Sequence, residues 1–116
     1  MKKKYRIKKY SEIDAIFKEK KTKSNSFFSI YHSSNEDKEH FRFALSIGKK
    51  FGKAVQRNKI KRQLRMIIHE HRNEFKNESQ FVVVIKPKAN TLLYHDIKHH
   101  LIDLLKKTKL LENNNE

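Results

Sequence analysis

The sequence has no cysteine. Disulfide bridges, thiol catalysis and thiolate metal sites are therefore excluded. It also has no long apolar run. No stretch approaches the roughly 20 apolar residues of a membrane span, and the cationic start, MKKKYRIKKY, has no apolar segment behind it as a secretory signal would. A cytoplasmic protein is the simplest expectation. Carboxylates are scarce as well: 13 Asp and Glu stand against 28 Lys and Arg, for a net charge of +15 and a pI near 10.1. A chain so charged repels itself and favours a polyanionic partner, with binding that weakens steeply in salt if that partner is nucleic acid.

A chain of 116 residues fits one small domain with a modest core. The expected layout is a single domain over 1–116, with a basic arm over 1–10 and a disordered tail over 112–116. The arm holds Lys2, Lys3, Lys4, Arg6, Lys8 and Lys9. It reads either as a frayed, solvated terminus or as a mobile grip on phosphate.

Ser11 is placed to cap a helix running to about Lys20, with Asp14 three residues on and Ile13, Ile16 and Phe17 at helical spacing. Residues 26–32 (SFFSIYH) read as a strand, with Phe27, Ser29 and Tyr31 on one face. Residues 33–40 read as a hairpin connection to a second strand, 41–47 (FRFALSI), whose apolar residues alternate. Gly48 and Gly52 mark a turn before a helix over about 53–72, and Ile60, Leu64, Ile67, Ile68 and His71 fall on one face of it. Residues 81–85 (FVVVI) suit a central strand buried on both faces, ended by Pro87. A last helix runs from about Thr91 or His95 to Leu111, with Leu101, Leu104 and Leu105 inward. The expected fold is an α+β sandwich of helices on a small mixed sheet.

Between His40 and His69 there is no acidic residue, whereas Arg42 and eight further cations fall in this span: Lys49, Lys50, Lys53, Arg57, Lys59, Lys61, Arg62 and Arg65. At about 100° per residue from Arg57, the residues Lys61, Arg65, Asn58 and Arg62 follow within about 140°, and the apolar residues fill the other side. The 53–72 helix thus buries one face and presents an Arg/Lys/Asn ridge. Arginine forks match phosphate, and asparagine can read a base edge or a 2′-hydroxyl. A solvated basic face normally interleaves carboxylates, and this one does not.

Residues 50–65 (KFGKAVQRNKIKRQLR) resemble the signature of the bacterial ribonuclease P protein family, matching at Lys50, Gly52, Ala54, Val55, Arg57, Asn58 and Arg62. At Lys59 the family usually has arginine, and lysine keeps the charge without the planar fork. The resemblance extends to size, basic arm and element order. It implies an α/β sandwich with a left-handed crossover and a role as the protein subunit of the endoribonuclease that removes 5′ leaders from precursor tRNA. In that family the catalytic centre lies in the RNA, which with the substrate holds most of the Mg²⁺. The resemblance implies that Lys50, Lys53, Arg57, Asn58, Lys59, Lys61, Arg62 and Arg65 bind the ribonuclease P RNA. It further implies a cleft between first helix and sheet for the single-stranded leader, formed by Ile13, Phe17, Phe27 and Tyr31. At Ile13 the family often has an aromatic. Flat side chains backed by cations are the usual platform for unpaired bases. No membrane and no further protein partner is expected.

Other signals are weaker. His95 and His99 are four apart and His69-Glu70-His71 is a local cluster, but neither forms HExxH or gathers three ligands. No protein-held metal or catalytic residue is expected, His71 reads as a satisfied core or boundary residue, and the serines of 24–34 lack a nucleophile motif. A structural RNA binder, such as a small ribosomal protein, would share this composition; the 50–65 segment separates the two. A membrane-surface helix is disfavoured because the strands imply a globular fold.

Overall fold

The structure, a computed structural model, describes residues 3–34 and 39–111. Lys2, the middle of the 33–40 connection and the 112–116 tail lie outside the described residues. Three helices, α1 (Tyr10–Lys18), α2 (Ala54–Glu70) and α3 (Tyr94–Lys107), accompany four strands, β1 (Thr22–Ser24), β2 (Phe28–Ser34), β3 (Arg42–Ile47) and β4 (Ser79–Ile85). The sheet order is β1-β2-β4-β3.

β4 takes the centre because its apolar run has no polar face to offer water. It pairs antiparallel with β2 (Ile30↔Val83) and parallel with β3 (Phe43↔Phe81, Leu45↔Val83). The parallel pair requires a long crossover, and α2 supplies it. The expected β2–β3 hairpin is therefore not formed: β4 lies between the two, and β3 is the far edge strand. Alternation shows that each strand is half-buried, but not which strand it pairs with.

Three local expectations also shift. β1 was not foreseen; its residues Thr22, Lys23 and Ser24 are all exposed and carry no apolar signal. β2 begins at Phe28 and not Ser26, because Asn25 Oδ1 accepts the N–H of both Phe27 and Phe28 at 2.8 Å and closes a turn there. α1 is capped by the backbone of Lys9, with Ser11 inside the first turn making no cap bond. It ends at Lys18, and Lys20 takes a left-handed φ of 58° just beyond.

One sheet face carries the main core. Phe28, Ile30, Phe43, Phe81, Val83 and Ile85 pack beneath Ile60, Leu64, Ile67 and Ile68 of α2 and Leu101, Leu104 and Leu105 of α3. Phe41, Phe75 and Phe81 stack within it, with ring centroids 4.5 Å (Phe41–Phe75) and 5.3 Å (Phe75–Phe81) apart. The other face has a smaller cluster, Ile7, Ile16 and Val82, with Ile13, Phe17, Tyr31 and Ala44 against it. α1 covers only part of this face, and the row Ser24, Ser29, Val84, Ser46 continues the sheet beyond it. His71 sits at the core boundary, its Nδ1 2.9 Å from Glu74 Oε2.

A candidate RNA interface

The turn into α2 depends on a glycine. Gly52 has φ 156°, and a Cβ there would collide with the Gln56 side chain. Gln56 Oε1 in turn accepts the Lys53 N–H at 2.9 Å. The Gly52 carbonyl accepts from Arg57 Nη1 at 2.6 Å, and Asn90 Nδ2 donates to the Phe51 carbonyl at 2.9 Å. The 50–57 segment is thereby folded onto the start of α2.

α2 separates its faces as its periodicity predicts. Lys50, Lys53, Asn58, Lys59 and Arg62 are exposed, and Arg57, Lys61 and Arg65 half-buried. None of these cations forms an ion pair among the described residues. Glu12 of α1 and Glu70 at the end of α2 are engaged elsewhere, with Arg42 and Lys98, both at 3.2 Å. The first turn of α2 has no acidic residue, so its positive dipole end meets positive side chains, the reverse of the stabilising arrangement. An anion arriving there relieves both repulsions.

The structure divides the expected RNA-binding set. Arg62 and Arg65 share a groove of about 300 Å³ with Arg6, Met66 and His69. Lys59 lines a different groove, of about 290 Å³, between α2 and the start of α3 with Gln56, Gln63 and Tyr94. Arg57 spends one donor on the Gly52 carbonyl. The sequence reading did not assign Val55 or Met66, although they are 79% and 51% exposed on the same side as Arg62. The available signal was an apolar residue off the apolar stripe.

The aromatic site is divided too. Phe17 and Tyr31 meet edge to face, ring centroids 4.8 Å apart, beside half-buried Ile13. The adjoining sheet carries exposed Ser24 and buried Ser29, whose hydroxyls lie 2.7 Å apart. Phe27 does not share this face. The Asn25 turn removes it from the strand alternation, and its ring packs on His100 of α3 at 4.6 Å, with Lys88 Nζ 5.8 Å from its centroid. Among the described residues no group of three His, Asp or Glu side chains is gathered to hold a metal ion, and no helix is long and apolar enough to cross a membrane.

Known proteins share this chain's sequence pattern and its fold. The Ribonuclease P family model matches residues 1–109. The chain belongs to the ribonuclease P protein family. It is 46% identical over 112 residues to the ribonuclease P protein component of Acholeplasma laidlawii, covering 97% of this chain and 96% of that one. Among solved structures, a Staphylococcus aureus RNase P protein mutant with defective mRNA degradation activity superposes with a TM-score of 0.90 at 33% identity, covering 94% of this chain and 92% of that one. The RNase P protein of Thermotoga maritima gives 0.78 at 27% identity, covering 88% and 96%. The protein is thus a subunit of ribonuclease P and a partner of its RNA, and the structural RNA-binder alternative is not favoured.

Family membership makes the ridge testable. Arg62→Ala is expected to weaken binding to ribonuclease P RNA by about 1–3 kcal/mol while leaving the melting temperature in place, because the side chain is exposed and unpaired. Arg57→Ala is expected to lower both, since it also removes the bond to Gly52. Titration of the RNA alongside thermal melting distinguishes the two; equal melting losses in both variants contradict this division.

Proposed function

We propose that the chain serves ribonuclease P by gripping two RNA segments at once. The α2 ridge, with Lys50, Lys53, Arg57, Asn58, Lys61 and Arg62, takes the backbone of the catalytic RNA. The cleft of Ile13, Phe17 and Tyr31 takes the unpaired 5′ leader of precursor tRNA. Lys59 contributes as a point charge from its separate groove, and Phe27 has no part in the cleft. The observation that carries this reading is a ridge of cations that no carboxylate neutralises among the described residues.

Cleavage belongs to the RNA in this reading. Mg²⁺ supplies the activated water and stabilises developing charge when bound by RNA and substrate. The described side chains do not fit a resident ion, since a protein-held Mg²⁺ needs converging carboxylates. The chain's own work is to bind, orient and neutralise phosphate, in the cytoplasm where precursor tRNA is processed.

The cleft is tested by Tyr31→Ala in the reconstituted enzyme. Base stacking contributes about 1–3 kcal/mol per base, so affinity for precursor tRNA with a leader of several nucleotides is expected to fall about tenfold or more. Mature tRNA binding and assembly with the RNA stay unchanged. If Tyr31 matters only as core, melting temperature and both tRNA affinities fall together, and the leader assignment is wrong.

A further inference from the structure

The N-terminal arm is docked where it reaches the sheet. Arg6 bridges Phe43 in parallel register, and the Ile7 N–H donates to the Phe43 carbonyl at 2.9 Å. Ile7 is buried, and Tyr5 stacks on Phe41 at 4.7 Å. The expectation of a frayed or mobile arm therefore does not hold from Tyr5 inward: an apolar residue at position 7 anchors it on the free edge of β3.

That docking turns Arg6 toward α2, where it and Arg65 line two hollows together. One, of about 280 Å³, also has Tyr10, Ile13 and Ala44 in its wall, so it continues the aromatic cleft. The other is the groove that holds Arg62. Among the described residues no carboxylate lines either hollow. Arg6 Nε is buried with no hydrogen-bond partner among the described residues. Burial, and then the like charge of Arg6, pushes the Arg65 pKa below its usual value. Two guanidiniums brought together with no counter-ion among the described residues, one with an unsatisfied donor, are costly in the protein alone. An RNA phosphate would remove that cost, because each of its two free oxygens can accept from one arginine fork.

We propose that Arg6 and Arg65 jointly bind one backbone phosphate of the single-stranded leader, at the edge of β3, as it passes from the aromatic cleft toward α2. This rests on the leader reading above and adds a defined phosphate contact to it. Arg6 belongs to no part of the 50–65 motif; it reaches the site only through the docked arm.

The test uses reconstituted holoenzyme and precursor tRNAs whose leaders carry one uncharged methylphosphonate linkage at each position in turn. For the unmodified protein, one linkage is expected to lower affinity about tenfold. Arg6→Gln and Arg65→Gln are each expected to lose about tenfold on the all-phosphate leader and to become indifferent to that linkage, and the double variant to lose little more than either single one. Without RNA, Arg65→Gln should melt at the same or a higher temperature, because a repulsion is gone; a supporting structural role would lower it. The proposal is overturned if Arg6→Gln stays as sensitive to the neutral linkage as the unmodified protein. It is also overturned if the variants weaken assembly with the RNA subunit and leave leader affinity intact, which assigns the phosphate to that RNA, or if their losses track melting temperature. A precursor that binds no tighter than mature tRNA even to the unmodified holoenzyme is a different result, and overturns the leader reading itself.

Discussion

Raising monovalent salt from about 50 to about 200 mM is expected to weaken the complex with ribonuclease P RNA by ~10³- to 10⁵-fold, the range for proteins that neutralise about six to ten phosphates. The physical reason is the unpaired charge on and before α2. Eight cations between Lys49 and Arg65 meet no carboxylate among the described residues, so each phosphate they contact releases a condensed counter-ion. Arg62→Ala should reduce the slope of log affinity against log salt by about one. Arg42, already paired with Glu12 at 3.2 Å, should change it less. Filter binding or fluorescence titration over that range measures the slope. A slope near zero would mean that RNA binding does not run through the ridge.

Removing the packing beneath the ridge has the largest expected effect on the fold. Leu64 is fully buried between α2 and the sheet. Leu64→Ala is expected to cost about 2–5 kcal/mol, from lost transfer energy plus the cavity left behind. That is a large part of the ~5–15 kcal/mol that holds a domain of this kind folded. The melting temperature should fall by about 10 °C or more, and RNA should restore part of it, since a ligand that binds only the folded state shifts the equilibrium toward it. Met66→Ala, on the outer side of the same helix, should leave melting nearly unchanged. Calorimetric or circular-dichroism melts with and without RNA decide this, and equal losses in the two variants contradict the assignment of faces.

What could be read from the residues depended on whether their role was written locally. The two faces of α2 were legible because 3.6-residue periodicity and charge segregation are both properties of one helix. β4 was legible because only a central strand can tolerate FVVVI. The partner of each strand was not: nothing in β2 or β3 states that β4 will separate them, and β1 is three polar residues whose pairing arises from the Asn25 turn. The same turn explains Phe27, which simple alternation places beside Tyr31 and the structure places against α3. Arg6 was visible as a charge in the arm, but its approach to Arg65 depends on Ile7 docking at the β3 edge. Of the candidate site, the ridge was legible as a set, whereas its division into two grooves required the position of α3.

The most direct test of the central claim compares the affinity of ribonuclease P RNA, with and without this protein, for precursor tRNA bearing a leader of several nucleotides and for the same tRNA without it. The protein is expected to tighten binding of the precursor about tenfold or more, the scale of one or two stacked bases, and to leave mature tRNA binding unchanged. Equal tightening of both tRNAs, or of neither, would contradict a protein that holds the leader while its basic helix holds the RNA.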